Sequence, residues 1–350
     1  MAAGPPDRAL ARPLGPVKPA APRAETTAEV VAELLGARRV AVLDVGARWG
    51  AGGAWWSVPP LAHCIGFEPD ADECARLQAE LGPGAAQRYV PVALGRATGE
   101  GVLHVTEDPA CSSLHPPDEA LPARYPDLAA MRTVRTARVP LVSIDAWADA
   151  DGVRDVAFVK LDTQGSELDI LRGAARVLDG CVALEVEVEF SPLYRGVPVF
   201  ADVDTFMRQN GFALWRLESL CHYAEAPTRA DRTDRVHFGG VDAEHPIGSG
   251  RLYWGNALYF RDYTALAAET KADAERLLVL AAFLSASGDR AAASAAIRRA
   301  CRVAGAPGRD RLEAHAALLL APPAAPAAPE KIARRRRWWR RAPRTAPPRG

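Results

Sequence analysis

Between Val156 and Ala175 an apolar run stops at an acid, turns, and restarts as an amphipathic segment. Val156 to Leu161 is short and nearly unbroken, the pattern of a strand buried on both faces. Asp162 ends it. Thr163-Gln164-Gly165-Ser166 leaves room for a tight turn, and Glu167 supplies a second acid. Leu168, Leu171 and Ala175 then recur at helical spacing, with Gly173 and Ala174 allowing close packing. A carboxylate at the carboxyl end of such a strand is where an open α/β sheet places its chemistry.

The rest of the chain extends this β-α grammar. Val40–Leu43 reads as a strand ending at Asp44, and Cys64–Phe67 as one ending at Glu68, with Trp55 and Trp56 between them expected on a helix or its approach. Asp70 is placed to cap a helix over 71–81. Tyr89–Leu94 is predicted as a third strand and Gly101–Thr106 as a short antiparallel one. Residues 107–135 are rich in Pro, Asp, Ser and Ala and read as a long loop covering a functional site. Val139–Ile144 is predicted as a strand, followed by a helix from Asp145. Val182–Phe190 is a strand carrying Glu185, Glu187 and Glu189 on one face. A helix over 203–210 closes at Gly211, and strands follow at 212–217 and 251–260. The order predicts a Rossmann-like, doubly wound, mostly parallel sheet with helices on both faces.

Four regions are expected. Residues 1–24, with prolines at 5, 6, 13, 16, 19 and 22, read as a disordered low-complexity arm without the apolar stretch of a signal peptide. Residues 25–263 form the α/β domain. Residues 264–320 are Ala/Leu-rich and predict a C-terminal helical hairpin, too short for a repeat array. Residues 321–350 are a Pro/Ala linker and a basic tail.

Charge is unevenly placed. Nine of the 43 Lys and Arg lie in 331–350 with no acid among them, so the remainder of this formally neutral chain is net acidic. An acidic body argues against nucleic acid as the partner of the domain. The tail, with Trp338-Trp339 inside an Arg run, reads as a peripheral anchor for an anionic membrane surface, with nucleic acid binding as the rival reading and a disordered solubilising end as the third. The six cysteines form no C-x-x-C pair, and His222 and His237, the latter read as lying in a charged loop, have no second ligand at metal spacing, so reduced thiols in a cytosol and no metal are expected. No apolar run reaches the ~18 residues that span a bilayer.

Two further motifs point to a ligand. Asp44-Val45-Gly46-Ala47-Arg48-Trp49-Gly50 puts glycines where the backbone turns sharply after the first strand, and does not fit G-x-G-x-x-G. Glu68-Pro69 ends the second strand at the distance where a carboxylate accepts paired ribose hydroxyls. The segment K-x-D-x-x-G-x-E-x-x-x-L-x-G-A from Lys160 to Ala174 resembles the signature of the FkbM-type methyltransferase family, and D-x-G-x-x-x-G and Glu-Pro resemble its cofactor motifs. Val92-Ala93-Leu94-Gly95, Ser112-Ser113-Leu114, the segment from Glu189 to Gly196, and Trp254-Gly255-Asn256 follow in the same order. This chain departs from the pattern at Arg48, Gln164 and Asn256, which stand where Asn, Glu and Asp are usual.

The resemblance implies a class I methyltransferase fold and S-adenosyl-L-methionine as cofactor. It implies an O-methyltransferase acting on a hydroxyl of a small molecule, sugar, glycan or secondary metabolite. Cofactor contacts are expected from Asp44, Gly46, Ala47, Gly50, Glu68, Pro69, Ala93, Ser113 and Asp162. Asp162 and Glu187 are the candidate catalytic residues, with Tyr194 beside Glu187 at the acceptor. Glu167 has two readings, a second site acid or an N-terminal helix acid favoured by the macrodipole. The rival reading of the whole is a non-catalytic or N-methylating relative that docks partners through its extension and tail.

Overall fold

The computed structural model describes residues 25–36, 38–50, 58, 60–82, 84–225, 232–238, 241–247, 250–303 and 305–321. The N-terminal arm, Trp55 and Trp56, and the basic tail lie outside the described residues, and with them the expectations placed on them.

A seven-stranded sheet organises the chain, in the order β3-β2-β1-β7-β8-β12-β9. Its members are β1 (Val40–Val45), β2 (Ala62–Phe67), β3 (Gln87–Val90), β7 (Val156–Leu161), β8 (Ala183–Glu189), β9 (Phe212–Tyr223) and β12 (Arg251–Arg261). The first five pair in parallel, and β12 runs antiparallel between β8 and β9. This is the predicted doubly wound sheet. Strand order reverses between β1 and β7, the switch point at which such sheets bind ligands. All six residues of β1 are buried, because helices cover both faces.

On one face lie the helices Ile144–Asp151 (α4), Glu167–Arg172 (α5), Ala175–Gly180 (α6) and Phe200–Gln209 (α7), while Ala71–Glu80 (α2) joins β2 to β3. Asp70 caps α2 as expected, accepting from the amides of Asp72 and Glu73. The other face is covered by α1 (Thr27–Leu35) and the C-terminal helices α8 (Lys271–Ala286), α9 (Arg290–Cys301) and α10 (Arg309–Leu320). Leu277 to Leu284 are all buried, so the middle of α8 has no wet side. Phe283 of α8 stacks on Phe158 of β7 at 5.3 Å between ring centroids. The extension thus supplies one of the two cores of the sheet.

Three expectations need correction. The third strand does not run through Leu94. Pro91 has no N–H for the ladder, the chain turns with Val92 N donating to Val90 O, and β4 (Ala93–Leu94) leaves to join a separate three-stranded sheet. There it pairs with β6 (Thr133–Val142), which also pairs with β5 (Gly99–Thr106). The predicted loop 107–135 is more structured than expected, with a short helix at Leu121–Arg124 (α3) and 3-10 turns at Pro109–Cys111 and Pro126–Met131. The segment around His237 is a strand rather than a charged loop: β10 (Arg232–Phe238) pairs antiparallel with β11 (Val241–Ile247), on either side of Gly239-Gly240 in the sequence. No helix among the described residues is long and apolar enough to cross a membrane.

Candidate active site

The site begins where β1 and β7 end side by side. Asp162 donates its amide to Val45 O at 3.0 Å, which brings the two strand ends into contact. Gly46 follows with φ +87°, and a β-carbon there would overlap the Asp162 carbonyl oxygen. Only glycine meets both conditions. Lys160 on β7 and Asp162 just beyond its end, two residues apart, both reach the same ion pair. Lys160 Nζ stands 3.4 Å from Asp44 Oδ1 and 3.4 Å from Asp162 Oδ2. Burial alone would lower the Lys160 ammonium, but Asp162, Asp44 and Glu185 outweigh it and hold the charge on.

Glu68 follows β2 and is 4% exposed. Its Oε1 accepts from the Asp70 amide at 2.8 Å and lies 3.8 Å from an Arg48 terminal nitrogen. Burial pushes this carboxyl up, and the Asp70 amide and Arg48 act against that. Arg48 also lies 3.4 Å from Asp70 Oδ2, and its Nε is buried without a partner. A cleft of about 650 Å³ runs past these groups. Gly46, Glu68, Pro69, Ala93, Ser113 and Asp162 all line it.

The other expected cofactor residues stand behind that wall. Asp44 is buried under Lys160. Ala47 is buried with its amide donating to Phe67 O at 3.0 Å. Gly50 closes the turn by donating to Ala47 O at 2.9 Å and faces Leu77 and Tyr89. They shape the turn and line neither cleft.

A second cleft of about 980 Å³ shares Gly46, Arg48, Asp162 and Gln164 with the first. Asp162, Gln164 and Glu187 lie together in it, and Trp49, Tyr223 and Trp254 contribute aromatic walls. Trp49 is 70% exposed. Gln164 Nε2 donates to Asp162 Oδ1 at 3.2 Å and to Glu187 Oε1 at 2.8 Å. Its Oε1 accepts from the Tyr194 hydroxyl at 2.8 Å. Burial and then the Asp162 charge raise Glu187 well above the usual carboxylate range. Burial also acts upward on Asp162, but Lys160 and the hydrogen bonds from Glu187 and Gln164 hold it low. The two carboxyls are thus pushed in opposite directions, Glu187 toward its neutral form and Asp162 toward its charged one.

Glu167 has a structural place. It accepts from Thr163 N at 2.7 Å, Thr163 Oγ1 at 2.9 Å and Gly165 N at 2.9 Å, and so folds the loop that carries Gln164. Of the three acids on β8, Glu187 alone lines the second cleft. Glu185 faces Asn256 Nδ2 at 3.3 Å, and Glu189 accepts from Leu193 N at 2.8 Å. Tyr194 is 1% exposed and sits behind Gln164, within 2.8 Å of Cys111 O as well, so it does not reach the acceptor side as expected. Ser113 is buried and donates to Gln164 O at 2.6 Å. His222 lies on β9 with Nδ1 unpartnered, and no group of metal-ligating residues occurs among the described residues.

Sequence reasoning gave Lys160 no role, although its K-x-D spacing was the available signal. The aromatic wall had no signal, since Trp49, Tyr223 and Trp254 come from three distant segments.

Residues 44–214 match the methyltransferase FkbM domain. The 2-O-methyltransferase NoeI of Sinorhizobium fredii is 24% identical over 173 residues, which is 47% of this chain and 69% of that protein. Among solved structures, magnesium protoporphyrin IX methyltransferase from Synechocystis is similar over 67% of this chain and 78% of its own, at 13% identity and a TM-score of 0.29. A TehB-like methyltransferase from Corynebacterium glutamicum is similar over 69% and 90%, at 11% identity and a TM-score of 0.28.

Proposed function

We propose, from the match of residues 44–214 to the methyltransferase FkbM domain, that this chain is an S-adenosylmethionine-dependent O-methyltransferase acting on a hydroxyl of a sugar, glycan or secondary metabolite. The observation that carries this reading is that Asp162 lines both clefts, so the two sides of a transfer meet at one carboxylate.

The first cleft suits the cofactor by its donor set. Glu68 offers a buried carboxylate for paired ribose hydroxyls, and Phe67, Val92, Ala93 and Leu94 offer an apolar slot for a base. Gly46 bares main chain for close approach. S-adenosylmethionine, when bound, supplies a methyl carbon made electrophilic by its sulfonium.

The acceptor side follows from the second cleft. Aromatic faces beside carboxyl groups suit a sugar, whose C–H faces stack on rings while its hydroxyls donate to oxygens. The similarity to a 2-O-methyltransferase supports oxygen as the accepting atom. Asp162 accepts the hydrogen bond of the reacting hydroxyl and orients its lone pair. Held low by Lys160, it is a weak base. It therefore receives the proton only as positive charge builds on the oxygen, and passes it to water afterwards.

The direct test is calorimetry with S-adenosylhomocysteine. Binding is expected in the wild type and strong weakening in Glu68→Ala. A wild-type protein with no measurable binding overturns the reading.

A further inference from the structure

We propose that Gln164 is a positioning residue: its amide, clamped from behind by Tyr194, holds Asp162 and Glu187 together and selects which of the two presents an accepting oxygen to the acceptor cleft. This rests on the reading of the second cleft as the acceptor side.

The backbone makes the first point. Gln164 has φ +61°, a left-handed conformation that non-glycine residues seldom adopt, and Gly165 follows with φ +105°. Such a conformation in a side-chain-bearing residue costs on the order of 1 kcal/mol or more. It persists because the loop is overdetermined. Ser113 Oγ holds the Gln164 carbonyl at 2.6 Å, and Glu167 collects the amides of Thr163 and Gly165 on either side. Glycine would satisfy this backbone at lower cost, so the side chain is there for what it contacts.

Those contacts use the whole amide. Both Nε2 hydrogens are engaged, one on Asp162 and one on Glu187, and Oε1 takes the Tyr194 hydroxyl. Flipping the amide would set its oxygen against the Asp162 carboxylate, which Lys160 and its hydrogen bonds hold toward the charged form. The orientation is thus determined by its neighbours. With an NH₂ on the facing oxygen of each acid, only the remaining oxygens of the pair are open to a proton or to an acceptor hydroxyl.

The surrounding charges favour the same division. Lys160 from β7 stands against Asp162 with Asp44 from β1 behind it. Glu167 from α5 adds to Asp162 in raising Glu187, Glu185 from β8 acts on Lys160, Glu189 is itself raised by burial, and Arg48 lies toward Glu68. Cys111 contributes only its carbonyl, to Tyr194. An acid in place of Gln164 would make three carboxyls in mutual reach and leave no donor between them.

The test reads the pair directly and needs neither acceptor nor cofactor. Carboxyl ¹³C NMR titration of protein labelled at Asp Cγ and Glu Cδ is compared for wild type, Gln164→Asn and Gln164→Glu. Asn tolerates the left-handed backbone but is one methylene too short to bridge both acids. We expect the Asp162 titration to move up by about one unit or more in Gln164→Asn. In Gln164→Glu the cluster should bind a further proton at neutral pH. Unchanged Asp162 and Glu187 titrations in a variant with native near-UV circular dichroism overturn the proposal. If both loop variants fail to fold, Tyr194→Phe decides, since it leaves residue 164 in place and frees the amide. The same upward movement of Asp162 supports the proposal, and an unmoved titration overturns it. S-adenosylhomocysteine calorimetry on the same samples keeps the outcomes separable. Shifted titrations without ligand binding would sink the functional reading and leave the positioning role intact.

Discussion

The main chains of Gly46 and Asp162 touch at the switch point of the sheet, so closely that a β-carbon on Gly46 would occupy the space of the Asp162 carbonyl oxygen. The turn that opens the first cleft and the strand end that carries the central carboxylate are therefore one mechanical unit. Gly46→Ala imposes the overlap and also a β-carbon at φ +87°. It should destabilise the protein by about 3 kcal/mol or more. Chemical denaturation measures this. If the variant still folds, S-adenosylhomocysteine affinity should fall at least tenfold.

Asp162→Asn keeps the shape of the residue and removes its charge. Methyl transfer should fall by about 10²–10⁴-fold, while S-adenosylhomocysteine affinity changes by less than about fivefold. An Asn variant with near wild-type turnover would contradict the role given to this carboxylate.

Lys160→Met removes the cation between Asp44 and Asp162. Breaking a buried pair costs about 3–5 kcal/mol. Lys160 keeps some contact with solvent, so about 2 kcal/mol is expected near pH 8. The loss should shrink toward pH 5, because Asp162, no longer held low, can take up a proton. Denaturant midpoints at the two pH values check the sign.

Glu189 gives a second pH signature. Burial raises its carboxyl to about 8, above its value in the unfolded chain. The folded state therefore binds more protons than the unfolded state between the two values, and stability falls as pH rises through that window. Glu189→Gln removes this term while an amide oxygen still accepts from Leu193 N. Its stability relative to wild type should improve by at least about 1 kcal/mol from pH 5 to pH 9. A difference that does not vary with pH would refute the assignment.

Trp49→Ala tests the aromatic wall with little structural cost, since the side chain is mostly exposed. The acceptor KM should rise about tenfold, in keeping with the loss of one stacking ring. Affinity for S-adenosylhomocysteine and Tm should stay at wild-type values. An unchanged KM would remove Trp49 from the acceptor surface.

The sequence by itself determined the sheet and the ends of its strands. Unbroken apolar runs ending in Asp44, Glu68 and Asp162 leave few alternatives to a doubly wound sheet, because both the hydrophobic period and the turn chemistry are local properties of the chain. Glu68, Pro69, Ala93, Ser113 and Asp162 were legible for the same reason: each lies in or beside a strand or turn whose position follows from nearby residues. The tertiary structure alone decided what each acid does. Glu167, Glu187 and Glu189 are the same residue type within 23 positions. One folds a loop, one is bridged to Asp162 through Gln164, and one caps the turn at Leu193. Their differences arise from burial and from partners up to 30 residues or more away, such as Gln164 held by Tyr194 and Ser113. Desolvation and Coulomb interactions depend on distance through space, which a linear pattern does not contain. The same holds for Asp44, Ala47 and Gly50, which the motif grouped with the ligand and the packing set behind the wall.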